Sequence, residues 1–473
     1  MGLKAVLVGA TIGGLIGAGC SSSSTSTSAA TAPIGSTSTT TPPPPVPAQY
    51  QDLVATLQGQ VSSFAAQAGP ASTGAHTVMA ANLIAADGNI GQALLTPSAL
   101  TTASTMLQRL KQMGLRGVML EVGFPLFLPG FPNSAGYTSF YSQVAQMIHR
   151  DGMTLSVEVN PVFPSPLISS LHPDYRGLTV DSYGTEQRQE AQAIIDTMHP
   201  SYLTILDEPD TFGSNLSLPL NDLTTVTRLV NLELTGLHRR TTRVGAGTGT
   251  WTSPSYDQAL LSQTSVDYLS VHVYPLAQLD VQNLNIDVAA ASRAHKPVVM
   301  DEVGLYKDLT SGNFDASGTI HGNATGAANE EKLLAFSFFE PLDRQFLPLI
   351  TRYARNRDVL FLSPFETLNF FAYVDWTPAL DAAPSLQFRN VLDGQPSRAC
   401  RPARCPASAA PTPSSRPASS ASAGWPRRDR QLSPRRASRW SGRRSRDWPS
   451  PRSRWARLRR RRPCRPRVGC ASP

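Results

Sequence analysis

The stretch YLTILDEPDTF, residues 202–212, joins an apolar run to three carboxylates that surround a proline. Its first five residues have the apolar and aromatic character of a buried β-strand. Asp207, Glu208 and Asp210 follow at the point where such a strand would end. Charges at a strand end indicate either contact with water or a catalytic acid, and the rest of the chain decides between the two.

Seven further apolar runs share this strand-like character, and amphipathic stretches separate them. The eight predicted strands span residues 77–85, 117–122, 154–159, 202–206, 242–246, 268–273, 297–300 and 359–362. The predicted helices, whose apolar residues recur at helical spacing, include residues 51–68, 99–113, 138–150, 186–198, 222–237 and 328–355.

Strands that alternate with helices are typical of parallel βαβ units, and eight such units close a (β/α)₈ barrel, the TIM barrel. We therefore predict one barrel domain over residues 49–396. An open doubly wound sheet is the alternative, although no glycine-rich dinucleotide fingerprint follows the first strand. The helix at 51–68 is expected either beneath the barrel or beside its first strand.

Charge is distributed unevenly along the 473 residues. Of the 42 Lys and Arg residues, 22 follow residue 396 and all of these are Arg, whereas only two of the 34 acidic residues do. The preceding residues therefore hold 20 basic and 32 acidic residues, a net charge of −12. Such an acidic region argues against nucleic acid as its partner. Because no cysteine lies between Cys20 and Cys400, we expect neither a disulfide nor a thiolate metal site in the barrel.

The N-terminus has the pattern of an export signal. Lys4 precedes a run of apolar and small residues, 5–19, and Cys20 follows this run. Residues 1–20 resemble a bacterial lipoprotein signal, in which the cysteine is lipidated and anchors the protein to a membrane. Gly17 stands where a larger aliphatic residue is usual, so ordinary secretion and an uncleaved anchor stay open. Either an envelope lipoprotein or a secreted protein is expected.

Residues 21–48 and 397–473 flank the predicted barrel with biased sequence. The first segment is rich in Ser, Thr and Pro and is predicted to be a disordered tether. The second is an Arg/Pro/Ser-rich tail, also predicted to be disordered. Arg without Lys is typical of out-of-frame translation of a GC-rich gene, so a frameshift is one hypothesis. A genuine basic arm that binds anionic surfaces is the other.

Polar residues occur at the carboxyl end of almost every predicted strand, which is where barrels place their active sites. In chain order they are Asn82, Glu121, Glu158, Asn160, Asp207, Glu208, Trp251, His272, Tyr274, Asp301, Glu302 and Glu366. The predicted mouth is therefore rich in carboxylates and has aromatic walls.

Three motifs at these positions together resemble the clan A glycoside hydrolases, which are retaining enzymes built on (β/α)₈ barrels. The motifs are LTILDEPDT on strand 4, SVHVYP on strand 6 and PVVMDEVG on strand 7. The resemblance implies that Glu208 is the acid/base and that Glu302 is the nucleophile. It also implies that Tyr274 hydrogen-bonds the nucleophile and that His272 belongs to the site.

Retaining hydrolysis requires two carboxyls about 5–5.5 Å apart. One must be protonated to serve the leaving oxygen and the other ionised to attack the sugar, so we expect a raised pKa for the acid and an ordinary pKa for the nucleophile. Asp207 and Asp210 would contribute repulsion at Glu208.

The sequence departs from the clan at two positions. Asp207 stands where the clan has Asn, so this side chain can accept but not donate a hydrogen bond when ionised. Glu121 stands where many members have Arg, and Glu158 adds a further interior carboxylate. Each of these carboxylates, and His272 and Tyr274, has a structural interpretation beside the functional one.

The predicted sugar contacts comprise two stacking aromatic residues and several polar ones. They are Trp251, Trp376, Asp207, His272, Tyr274, Asn160, Glu121 and Glu158, and either tryptophan could instead cover the core. No metal or cofactor is predicted, because no ligand-like His or Cys spacing, serine elbow or phosphate-binding loop is present.

We therefore expect a retaining glycoside hydrolase that cleaves a poly- or oligosaccharide by a two-glutamate double displacement. A catalytically inactive glycan-binding barrel at the cell surface is one alternative. A barrel enzyme of another class that uses its acidic mouth for a metal is the other.

Overall fold

The computed structural model describes residues 44–70, 76–164, 169–274, 278–305, 335–365, 367–370 and 373–383. The predictions for Cys20, for most of the tether, for Glu366 and for the tail lie outside these residues. Within them, no helix combines the length and the apolar character needed to cross a membrane.

The described residues form a sheet of eight parallel strands in the order β1-β8-β7-β6-β5-β4-β3-β2. The strands are β1 Val78–Met79, β2 Gly117–Phe124, β3 Thr154–Pro161, β4 Tyr202–Thr204, β5 Arg243–Gly249, β6 Tyr268–His272, β7 Val298–Val303 and β8 Phe361–Pro364. β1 and β2 meet through a parallel bridge between Asn82 and Met119, so the sheet closes into the predicted barrel.

Helices follow the strands in the alternation expected of βαβ units. They are α1 Gln51–Gln67, α2 Pro97–Gln112, α3 Ser134–Arg150, α4 Val180–Met198, α5 Pro209–Leu216, α6 Leu223–Leu234, α7 Ser255–Gln263, α8 Gln278–Arg293, α9 Glu340–Asn356 and α10 Pro378–Ala382. The predicted helix at 328–355 corresponds to α9 but begins too early, because Phe336 forms a bridge with Val374 and Ser337–Phe339 is a 3-10 turn. Residues 328–334 lie outside the described ranges.

The strands are apolar on both faces because each lies between the barrel interior and the helix layer. All eight residues of β2 are buried. At β5 the adjacent strand comes so close that a Cβ on Gly247 would lie 1.7 Å from the carbonyl oxygen of Ser270. Only glycine fits at this position, which is the middle glycine of the GAGTG sequence.

The first predicted strand is shorter than the sequence indicates. Only Val78 and Met79 pair as a ladder, and residues 84–86 form a 3-10 turn. Ala80, Ala81 and Leu83 are nonetheless fully or almost fully buried. The apolar run therefore reports burial correctly, while strand pairing ends early.

Helix α1 joins the outer helix layer. The Phe64 ring lies 6.2 Å from the ring of Phe346 and 5.5 Å from that of Tyr353, both on α9. Asn285 of α8 donates a hydrogen bond to the Gln67 side chain. The sequence allowed a position beneath the barrel or beside β1, and these contacts place α1 against the helices that precede β7 and β8.

Candidate active site

The predicted strand-end residues converge on the carboxyl mouth of the barrel. β2, β3, β6 and β7 supply side chains directly, and the segment after β4 supplies two more; these residues are Glu121, Glu158, Asn160, His272, Glu302, Asp207 and Glu208. All are buried except Asn160, which is half-buried. Six of them line one pocket, together with Pro161, Phe163, Thr211, Phe212 and Asn215; the exception is Glu158.

Glu208 and Glu302 approach each other across this mouth. A carboxylate oxygen of each and a ring nitrogen of His272 lie within 4.8 Å of one another. His272 Nδ1 is 3.0 Å from Glu208 Oε1 and 3.7 Å from Glu302 Oε2. Tyr274 donates a hydrogen bond to Glu302 Oε1. The two glutamates named from the three motifs are therefore neighbours, although 94 positions separate them in the sequence.

The sequence DEPDT explains how Glu208 comes to face the mouth. Pro209 is the first residue of α5, a position where its missing N–H costs nothing. Glu208 is the N-cap residue, yet its side chain makes no cap hydrogen bond. Instead its Oε2 accepts a 2.6 Å hydrogen bond from Thr211 in the first turn. The carboxyl is thus directed into the barrel rather than onto the helix.

Burial raises the pKa of Glu302, whereas at His272 it acts against the neighbouring carboxylates, which raise the pKa of the imidazole. Burial, with the charge of Glu208, raises the pKa of Glu302 well above its usual value, although His272 and Tyr274 act in the opposite direction. This differs from the ordinary pKa expected for a nucleophile. Burial would lower the pKa of His272, but Glu302 and Asp207 outweigh it, so that pKa lies well above its usual value.

Below the two glutamates, the other edge of the His272 ring faces a second group of acids. Nε2 lies 3.6 Å from Glu158 Oε1, 3.8 Å from Asp207 Oδ2 and 3.9 Å from Asp301 Oδ1. Asp301 is held by hydrogen bonds from Thr204 at 2.5 Å and from Ser270 at 2.6 Å.

Asp301 was noted as a strand-end carboxylate, but it was not among the predicted site residues. The DE pair of β7 carried too little information to show that both side chains enter the barrel.

Among the residues that the structure describes, two sets of three have the donor atoms and spacing to hold a metal ion. They are Glu158, Asp207 and His272, and Glu208, His272 and Glu302, each with its ligand atoms within 4.8 Å of one another. His272 belongs to both because its two ring nitrogens face opposite sides.

Glu121 has partners that sequence reasoning missed. Asn89 donates to Glu121 Oε1 at 3.3 Å and accepts from the Phe163 backbone N–H at 2.9 Å. Asp87 accepts from the Asn89 backbone N–H at 2.7 Å. Burial raises the pKa of Glu121 to about 7, and a hydrogen bond with Asn160 acts against this. The segment Asp87-Gly88-Asn89 was the signal available, since it reads as a turn just after the first strand.

The two predicted stacking residues occupy different surroundings. The Trp251 ring lies 5.9 Å from that of Tyr274, and its Nε1 donates to Asp210 at 3.0 Å. Trp251 therefore borders the mouth, and the exposed Asp210 orients it. Trp376 packs against the apolar cluster that includes Phe336 and Phe346, so its contacts support a role in covering the core.

Comparison with known proteins finds resemblance only among solved structures. No protein-family model matches the chain, and no curated protein matches it.

Three of the similar structures are glycoside hydrolases by description. A GH5_18 protein from Bifidobacterium longum subsp. longum is 11% identical, over 61% of this chain and 69% of that one, with a TM-score of 0.42. An exo-beta-1,4-mannosidase from Opitutaceae bacterium strain TAV5 is 17% identical, over 63% and 53%, with a TM-score of 0.40. A beta-mannanase from the blue mussel Mytilus edulis is 12% identical, over 62% of this chain and 87% of that one, with a TM-score of 0.36.

Likeness of this extent does not assign an activity, because one barrel fold supports many unrelated reactions.

Proposed function

We propose that this protein is a retaining glycoside hydrolase that cleaves a poly- or oligosaccharide, with Glu208 as acid/base and Glu302 as nucleophile. The observation that carries the proposal is the approach of the two carboxyls to within 4.8 Å across the mouth. That separation is close to the roughly 5–5.5 Å of retaining enzymes and well below the roughly 6.5–9.5 Å of inverting ones.

In the first step Glu302 attacks the anomeric carbon while Glu208 gives its proton to the leaving glycosidic oxygen. A glycosyl-enzyme ester forms on Glu302 and the leaving sugar departs with the proton. In the second step Glu208, now ionised, takes a proton from water as that water attacks the anomeric carbon. Glu302 leaves as a carboxylate, and both residues return to their starting states.

The neighbouring side chains support this division of roles. Tyr274 donates to Glu302 and so favours its ionised form against the effect of burial. Thr211 and His272 contact different oxygens of Glu208 and hold it in place. Trp251 offers an aromatic face at the edge of the mouth for the apolar face of a sugar ring.

The experiment is hydrolysis of a glycan panel by Glu208→Gln and Glu302→Gln. Each variant should lower kcat/KM by about 10²–10⁴-fold or more, since each loses a group that acts in the transition state. Glu233→Gln is the matched control, because Glu233 is also a buried glutamate but lies on α6. Full activity in both mouth variants would remove the proposal.

Azide, used as an external nucleophile, distinguishes the acid/base from the catalytic nucleophile. With an activated aryl glycoside, Glu208→Ala should form a glycosyl azide of retained configuration, because the ester on Glu302 still forms. Glu302→Ala should form the inverted azide, because azide then attacks the substrate directly.

The alternatives give different outcomes in the same experiments. A barrel that only binds glycan would show binding without hydrolysis in the wild-type protein. A metal-dependent enzyme of another class would hydrolyse no glycan of the panel, with or without added metal ion.

We also propose that the protein acts outside the cytoplasm, on the basis of the export-like segment that ends at Cys20. Radiolabelled palmitate should be incorporated into the wild-type chain and not into Cys20→Ala. Equal labelling of both would count against a lipid anchor on this residue.

A further inference from the structure

The group of acids beneath the mouth has an unusual composition. We define the inner acidic cage as Glu158, Asp207, Asp301 and the Nε2 edge of His272. All four residues are at most 1% exposed. Their strands are β3, β6 and β7, and Asp207 follows β4.

Most polar atoms of the cage have no partner of their own. Both carboxylate oxygens of Glu158, both of Asp207, and His272 Nε2 make no hydrogen bond within the described part of the chain. The 3.6 and 3.8 Å separations exceed hydrogen-bond length. Buried carboxylates without donors are strongly disfavoured unless they are neutralised or bind a cation.

The spacing of these atoms fits a small metal ion. Glu158, Asp207 and His272 each offer a ligand atom, and the three atoms lie within 4.8 Å of one another. Consider an ion placed about 2.1 Å from Nε2 and from each carboxylate oxygen. The angle at the ion between Nε2 and the Glu158 oxygen would be about 120°, and that between Nε2 and the Asp207 oxygen about 130°, given their 3.6 and 3.8 Å separations. Those angles are compatible with three- or four-coordinate binding once the ligand atoms move slightly closer together.

We propose that the inner acidic cage binds one divalent first-row transition-metal ion through Glu158, Asp207 and Nε2 of His272. Two carboxylates and an imidazole suit Zn²⁺ or Mn²⁺ better than Mg²⁺, which prefers oxygen ligands and keeps several waters. Asp301 lies beside the ion and is fixed by Thr204 and Ser270.

The other ring nitrogen provides an independent argument. A metal on Nε2 requires the proton to be on Nδ1, which lies 3.0 Å from Glu208 Oε1. A metal-bound histidine that donates its second N–H to a carboxylate is the usual arrangement around protein metal ions. Asp207 and His272 also line the mouth pocket, which gives an ion a route to the cage. The ion would thus fix the tautomer of His272 and its contact with Glu208.

The test is a Mn²⁺ titration of the full-length protein without glycan, with free Mn²⁺ followed by electron paramagnetic resonance. Mn²⁺ is used because the four cysteines after residue 396 would compete for Zn²⁺. The wild-type protein should bind one equivalent that Glu158→Gln and Asp207→Asn bind at least about tenfold more weakly. Glu208→Gln should weaken binding about tenfold through His272.

Glu233→Gln is the control, since both oxygens of this buried glutamate also have no partner among the described residues. It should bind Mn²⁺ as the wild type does. If a cage variant folds poorly, the melting temperature of the wild-type protein provides the second measurement. It should rise with Mn²⁺ concentration, because a ligand that binds only the folded state stabilises it.

No Mn²⁺ binding up to about 1 mM, or equal binding by the wild type and both cage variants, would overturn the proposal. Because binding is measured without substrate, this result is separate from the hydrolysis experiment. Binding of Mn²⁺ without glycan hydrolysis would support the metal site and contradict the proposed function. Glycan hydrolysis without Mn²⁺ binding would support the proposed function and contradict the metal site.

Discussion

Replacing Asp287 by Asn should remove a large part of the pH dependence of folding stability. Asp287 lies on α8 and is buried, as is Asp257 on α7. Burial raises the pKa of Asp287 from 3.8 to about 7. Burial, together with the charge of Asp287, also raises the pKa of Asp257. The two carboxyls therefore form an acid pair outside the barrel that favours its protonated state.

The sign and size follow from proton linkage. A carboxyl with a higher pKa in the folded state holds a proton that unfolding releases, so the free energy of unfolding falls as the pH rises. The shift of Asp287 is about 3 pH units, which corresponds to about 4 kcal/mol at 1.36 kcal/mol per unit. The loss begins near pH 4 and is complete somewhat above pH 7. About 2–3 kcal/mol of it falls between pH 5 and pH 8.

The assay is urea unfolding of both proteins at pH 5 and pH 8, followed by circular dichroism. The wild-type free energy of unfolding should fall by about 2–3 kcal/mol more than that of Asp287→Asn over this range. Asp196→Asn removes the same charge from an exposed pair with Arg240 and should follow the wild type, because solvent screens that pair. Identical pH dependence of wild type and Asp287→Asn, within about 0.5 kcal/mol, would refute the reasoning.

Two further predictions concern the mouth and the sheet. Thr211→Val removes the donor to Glu208 Oε2 and should lower kcat/KM for glycan hydrolysis about 10–100-fold, whereas Thr211→Ser keeps the hydroxyl and should restore most of it; equal loss in both variants would contradict a hydrogen-bond role. Gly247→Ala places a Cβ 1.7 Å from the Ser270 carbonyl oxygen and should abolish soluble folded protein or lower its melting temperature by more than about 10 °C. Gly59→Ala, in open space on α1, should stabilise by up to about 1 kcal/mol, and a stable Gly247→Ala protein would show that β5 and β6 can separate.

The sequence predicted all eight strands because burial on both faces leaves short apolar runs that are easy to find. β2 and β3 extend two residues beyond their predicted ends, and β7 extends three. β1 was predicted too long, because the buried run after Met79 packs into the core without pairing as a ladder. Burial is encoded locally, whereas the end of a hydrogen-bonded ladder depends on the partner strand.

The sequence was sufficient to predict the main carboxylates of the candidate site but not the residues that contact them. Glu208 and Glu302 could be named because the motifs on strands 4, 6 and 7 resemble those of the clan A glycoside hydrolases, and a barrel brings the carboxyl ends of its strands to one mouth. Asp87 and Asn89 were missed because their contact with Glu121 joins a turn to a different strand. Trp376 was predicted to stack on a sugar, but it follows β8 by twelve residues and packs against the core instead.

What the sequence determined by itself was the alternation of strands and helices and, through it, the carboxylates that share one end of the barrel. Only the tertiary structure decided that His272 lies between two layers of acids, with Glu208 and Glu302 on one side and Glu158, Asp207 and Asp301 on the other. The physical reason is that the ring's neighbours come from separate strands, up to 114 positions away in the sequence. Their burial and spacing arise only when the barrel closes, and these determine both the proposed chemistry and the proposed metal site.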